Sequence, residues 1–117
     1  MTSLVPLIPG AVRTIGAVTG DAVAIPIPAD MSRVLEVSFR GHAVSGGGIG
    51  RILGATFVNV AGVVTQVGTT SSIMPEKRSP GLVLANEELV IVGTTVVPRV
   101  TGVAGETINW TVEAHVW

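Results

Sequence analysis

Polar and apolar residues alternate from Thr107 to Trp117 (TINWTVEAHVW) almost without exception. On a strand, Ile108, Trp110, Val112, Ala114 and Val116 point to one side, while Thr107, Asn109, Thr111, Glu113 and His115 point to the other. That pattern predicts a half-buried β-strand, with Trp117 on its polar face beside His115. Arg33 to Ala43 alternates in the same way: Leu35, Val37, Phe39 and Ala43 share one side, and Glu36, Ser38, Arg40 and His42 the other. This second strand is expected to line the core.

The remaining apolar runs are shorter and are broken by turn residues. Ala22 to Ile27 reads as a short strand. Ser45 to Gly50, with four glycines in six residues, reads as a mobile hairpin tip. Arg51 to Val58 and Val63 to Val67 read as a hairpin around Asn59-Val60-Ala61-Gly62, with Gly62 at the left-handed position of a three-residue loop. Ser71 to Ile73 is expected to pair briefly. Met74 to Gly81, which holds the Glu76-Lys77-Arg78 cluster, is expected to be a solvated loop between two prolines. Leu82 to Val92 reads as a strand with a break near Asn86, and Thr95 to Thr101 returns from it through a II′ turn at Gly93-Thr94. Pro98 places that return strand at an edge or a bulge.

Val, Ile and Thr dominate these segments, and fifteen glycines punctuate them, so the chain is predicted to be all-β. About seven to nine short strands imply a single antiparallel β-sandwich over residues 21–117, and local signals leave its order open between jelly-roll-like, the expected form, and Ig-like. Residues 1–20 carry Pro6, Pro9, Gly10, Gly16 and Gly20 and are expected to form an extended N-terminal arm or an edge segment.

Composition changes this picture in one respect. Apolar residues make up 47% of the 117 and charged residues only 13%, against roughly 25% charge in an average soluble domain. Part of the surface is therefore expected to be covered. A membrane is not the expected cover, because no apolar run approaches the roughly 18 residues of a spanning helix. Nucleic acid is not expected either, because the net charge of −1 lacks the basic excess that phosphate contacts require. Burial against other protein subunits remains.

Candidate chemistry is sparse. His42 and His115 both fall on polar strand faces, but with no cysteine and no HExxH spacing they do not define a metal site. No serine sits in a GxSxG elbow. The Gly46-Gly47-Gly48-Ile49-Gly50 run lacks the Lys-Ser/Thr of a phosphate-binding loop. Glu87 and Glu88, as strand neighbours, would face opposite sides and so form no acid/base pair; a solvated turn is expected for them. No cofactor, no metal and no enzymatic activity are expected.

Two segments, Asn59 to Thr69 (NVAGVVTQVGT) and Val100 to Val112 (VTGVAGETINWTV), together resemble the β-structured modules of tailed-bacteriophage virion proteins. Such modules occur in capsid decoration proteins and in domains of tail fibres and spikes. Pro98 departs from that pattern, where an ordinary strand residue is expected. The resemblance implies a virion structural protein, with capsid decoration (cement) as the leading form. Such a protein would be made in the bacterial host cytoplasm, would self-associate as a homotrimer and would bind the major capsid protein on the outer shell. Leu4, Val5, Leu7, Ile8 and Trp117 are the candidate interface residues, the first four on the arm. The alternative is a tail appendage that binds a host receptor or glycan through the glycine-rich loop and Trp117.

Overall fold

The computed structural model describes residues 7–117. They form nine strands and one turn of 3₁₀ helix: β1 (Leu7–Ile15), β2 (Thr19–Asp21), β3 (Ile25–Pro26), β4 (Met31–Ala43), β5 (Gly48–Val60), β6 (Val63–Arg78), the turn Pro80–Leu82, β7 (Asn86–Val92), β8 (Thr95–Thr101) and β9 (Thr107–Val116). Two antiparallel sheets enclose one core. The large sheet has the order β1-β9-β4-β5-β6. In the small sheet β8 is central, with β7 on one flank and β2 and β3 on the other.

The two alternating segments are the middle of the large sheet. Ile108, Trp110, Val112, Ala114 and Val116 of β9 are all buried, as are Leu35, Val37, Phe39 and Ala43 of β4. Phe57, Leu53 and Ile49 of β5 extend the same layer, and Val96 and Val100 of β8 with Ile25 of β3 close it from the small sheet. Trp110 is the largest of these side chains, and its indole N–H donates to the buried Thr14 hydroxyl at 3.0 Å. That bond satisfies the one polar atom of a ring otherwise held by packing, and it ties β1 to β9. The surface of 6219 Å² is close to the roughly 5,900 Å² that area scaling gives for this mass.

The sandwich begins at Leu7 rather than at residue 21. Residues 7–15 pair with β9 along their whole length and form an edge of the large sheet, and residues 19–21 pair with β8 in the small sheet. Of the two forms expected for residues 1–20, the described part therefore takes the edge form.

Pro98 lies in a central strand, not at an edge, and Leu89 of β7 is its register partner. Its carbonyl accepts from the Ala22 N–H at 3.0 Å, so its missing N–H faces the side where β2 ends and β3 has not begun. The proline is accommodated because the neighbouring strand is interrupted there.

Three turns differ from expectation. Val60 pairs directly with Val63, so the β5–β6 loop has two residues and not three. Ala61 and Gly62 both have positive φ, 52° and 85°, the requirement of a type I′ turn. The expected loop at 74–81 is largely strand, since β6 continues to Arg78 across register shifts against β5. Leu82 belongs to the 3₁₀ turn, and β7 begins only at Asn86.

The glycine-rich tip is also tied down. Gly48 N–H donates to the Ser79 hydroxyl at 2.9 Å and Ser79 N–H to the Gly48 carbonyl at 3.0 Å. A Cβ at Gly47 would stand 2.9 Å from Leu82 Cδ1, so this glycine serves close packing.

An uncharged candidate interface on the large sheet

Strand register assembles the site. Trp117 exchanges both backbone hydrogen bonds with Val34, at 2.8 and 3.1 Å; Val34 is paired with Thr56 and Thr56 with Val67. These four residues form one rung across β9, β4, β5 and β6. Their neighbours in sequence on β4 and β5, Leu35, Ala55 and Phe57, are buried, so by the two-residue period the rung faces outward. The adjoining rungs toward the β5–β6 turn carry Ser32 with Val58 and Thr65, then Val60 with Val63. No residue of these three rungs is charged.

Beside this strip lies a shallow groove of about 280 Å³. Its floor is Gly54, and Val34, Trp117, Val67 and Ile73 form its walls. Ile73 lies across the space a Gly54 side chain would take, with its Cδ1 2.7 Å from the position of a Cβ. Glu36 stands at the rim as the register partner of Gly54. The Trp117 ring stacks on His115 with centroids 6.1 Å apart and is still 52% exposed.

Among the predicted interface residues, Leu7 and Trp117 come together. Leu7 is paired with His115, so it reaches the outer face one rung from Trp117 and is half exposed. Ile8 does not join them: one residue on, it turns inward and packs against the core, which removes it from the candidate interface. Leu4 and Val5 lie outside the described residues.

The two histidines do not approach each other. His115 is paired with Glu36 and His42 with Asn109, which places them six residues apart along β4, about 20 Å at strand rise. Trp117 and the glycine-rich tip lie at opposite ends of β4, next to Val34 and beyond Ala43. About 30 Å separates them, so no small glycan or receptor loop spans both.

A second cluster was not foreseen from sequence. Arg78 donates to both oxygens of Glu87, at 2.8 and 2.7 Å, and to Glu76 at 2.9 Å. Arg51 lies 3.6 Å from both Glu76 and Glu87 and reaches the Ser72 hydroxyl at 3.3 Å. The Glu87 side chain is fully buried and that of Arg78 is 6% exposed. This clasp joins β5 and β6 of the large sheet to β7 of the small one, on the side where the two sheet edges leave a polar cavity of about 500 Å³. The Arg78 guanidinium is held above its ordinary range, first by its hydrogen bonds to Glu87. Glu76 is held below the ordinary carboxylate range by the hydrogen bond from Arg78.

The predicted solvated loop and solvated turn are thus wrong for Arg78 and Glu87, though Glu87 and Glu88 do face opposite sides. A signal was present in the sequence. Arg51 falls on the inward phase of Ile49, Leu53 and Phe57, and an inward cation calls for an inward anion.

Among the described residues no group of three or more His, Asp or Glu is placed to hold a metal ion. Compared with known proteins, the chain matches no protein-family model and no curated protein sequence.

Proposed function

We propose that this protein is a virion structural component of a tailed bacteriophage: a capsid decoration protein that binds the outer shell as an oligomer and stabilises it. The observation that carries the reading is the strip of three uncharged, valine-rich outward rungs on β4, β5 and β6, which ends on a half-exposed tryptophan. Patches of this kind mark contacts with other proteins. The resemblance of Asn59 to Thr69 and Val100 to Val112 to phage virion modules supplies the biological setting. Leu4, Val5 and Leu7 would then form the shell contact, and their burial at capsid junctions would favour the assembled shell by mass action.

The tail-appendage alternative loses support from the distance between the glycine-rich tip and Trp117. The deciding experiment adds the purified protein to undecorated capsids and measures co-sedimentation and heat resistance of the particles, with the full chain and with a chain lacking residues 1–6. That truncation leaves β1 intact. The full chain is expected to sediment with the shell and raise its heat resistance, and the truncated chain to do neither. Absence of binding by the full chain overturns the decoration reading. Equal binding by both chains overturns the role of Leu4 and Val5.

A further inference from the structure

The uncharged face has a shape that suggests its occupant. At one end the Val60–Val63 pair projects beside the β5–β6 turn, each residue 62% exposed, where a hairpin tip is ordinarily polar. At the other end is the groove over Gly54. Knob and groove share β5 and β6 and lie six residues apart along β5, about 20 Å at strand rise. A two-fold axis lying in the face, crossing the strands at the level of Phe57, exchanges the two ends. It sets the valine pair of each copy over the groove of the other. We infer that this face pairs with the same face of a second copy of this chain.

Area and charge both fit that partner. The half-exposed Val34, Val60, Val63, Val67, Ile73 and Trp117 present on the order of 600 Å² of apolar surface, the top of the range for the largest patch on a monomer. With the intervening threonines the face approaches the roughly 800 Å² that each partner gives to a standard interface. Two sheets stacked face to face lie about 10 Å apart, close enough for such side chains to interdigitate. A surface brought against its own copy meets every charge with a like charge near the axis; the three rungs nearest the axis carry none, and the charges beside them are Asp30 next to the β5–β6 turn and Glu36 at the groove's rim.

A ring of three copies needs two different contact surfaces, whereas knob and groove occupy one face. The inference therefore specifies a two-fold pair and stands on this surface alone, independently of capsid binding.

The test is sedimentation equilibrium on the wild-type chain, on Thr56→Lys, on Thr56→Glu and on an equimolar mixture of the two variants. Circular dichroism checks that each variant folds; position 56 points outward, so both are expected to. The wild type should sediment at twice the 11.9 kDa chain mass. Each variant should dissociate with a Kd at least tenfold higher, and the mixture should recover the pair because lysine then meets glutamate across the axis. A wild type that stays at one chain, a three-chain mass, or pairing unchanged in both variants overturns the inference. So does a mixture that pairs no better than either variant alone.

Discussion

Strands β5 and β6 carry two surfaces built on opposite rules. On the inward side, at the ends near β7, Arg51, Arg78, Glu76 and Glu87 form a four-charge clasp. On the outward side, the same two strands show three rungs without a charge. A chain with only fifteen charged residues has placed four of them where its two sheets gape. The contrast follows from what each surface must exclude. An open sandwich edge admits water, so polar groups can close it if each is paired. A face meant to meet another protein gains most from apolar area and loses from any unpaired charge.

The sharpest way to break this comparison is to remove the buried acid. Glu87→Ala leaves the Arg78 guanidinium enclosed with only the exposed Glu76 as a partner, and removing one member of a buried pair typically costs about 3–5 kcal/mol. Urea unfolding should report a loss of that order. The double variant Glu87→Leu with Arg78→Met should recover much of it, because the pair is replaced by apolar volume. A Glu87→Ala chain as stable as wild type would mean that the clasp contributes nothing and that the cavity beside it is well solvated.

Asn59 gives the next largest effect and supports the uncharged face from its inward side. Its buried side-chain amide donates to the Ile27 carbonyl at 2.8 Å, and its oxygen accepts from the Gly62 N–H at 2.9 Å. It therefore fixes the turn that presents Val60 and Val63. Asn59→Ala leaves a buried carbonyl unsatisfied and is expected to cost about 1–3 kcal/mol, measured by thermal unfolding. Amide hydrogen exchange should speed up first in residues 60–63.

How far the sequence announced this architecture depended on the local regularity of each segment. β4 and β9 were legible because a sheet with one buried face writes a period of two into its strands. Both lie inside the large sheet, where register leaves no freedom. Apart from the brief pairing expected at Ser71 to Ile73, where Ser71 and Ser72 do pair with Gly54 and Leu53, β6 was legible only to Val67. Beyond it, Gly68 at a φ of 75° and three register shifts break the period, so Glu76 and Arg78 looked like loop residues. Pro98 misled for a related reason: the missing ladder bond is excused by a gap in the neighbouring strand, which no local rule detects. Of the candidate site, Leu7 and Trp117 were within reach because each is a large apolar residue on an outward phase. The charge-free rungs were not, since they exist only once β5 is registered against β4 and β6.

Smaller changes sharpen the contrast at its two ends. Ala61 holds a φ of 52°, a conformation that costs an alanine roughly 1–2 kcal/mol and that asparagine tolerates better. Ala61→Asn is therefore expected to raise the unfolding midpoint, with a gain of about 0.5–1 kcal/mol. The turn would be stiffened without altering the valine pair.

Acid addresses the clasp and spares the face. Glu76, with Arg78 as its donor, has a folded pKa below its unfolded value, and so does Asp21, whose main partner is Arg99. Groups shifted in this direction contribute stability that is complete above the unfolded pKa, near 4 for carboxylates. That stability is lost as the pH falls through the folded value. Thermal midpoints should hold steady down to about pH 5 and then decline. The decline should be shallower in Glu76→Gln, which has no proton to take up there. Both carboxylates are solvent-facing, so added salt should shrink the difference between the two chains. Val67→Thr, which alters only the outward rung, should leave the shape of the acid decline unchanged. If it shifted that decline as much as Glu76→Gln does, the two surfaces of β5 and β6 would be coupled through the sheet rather than separate.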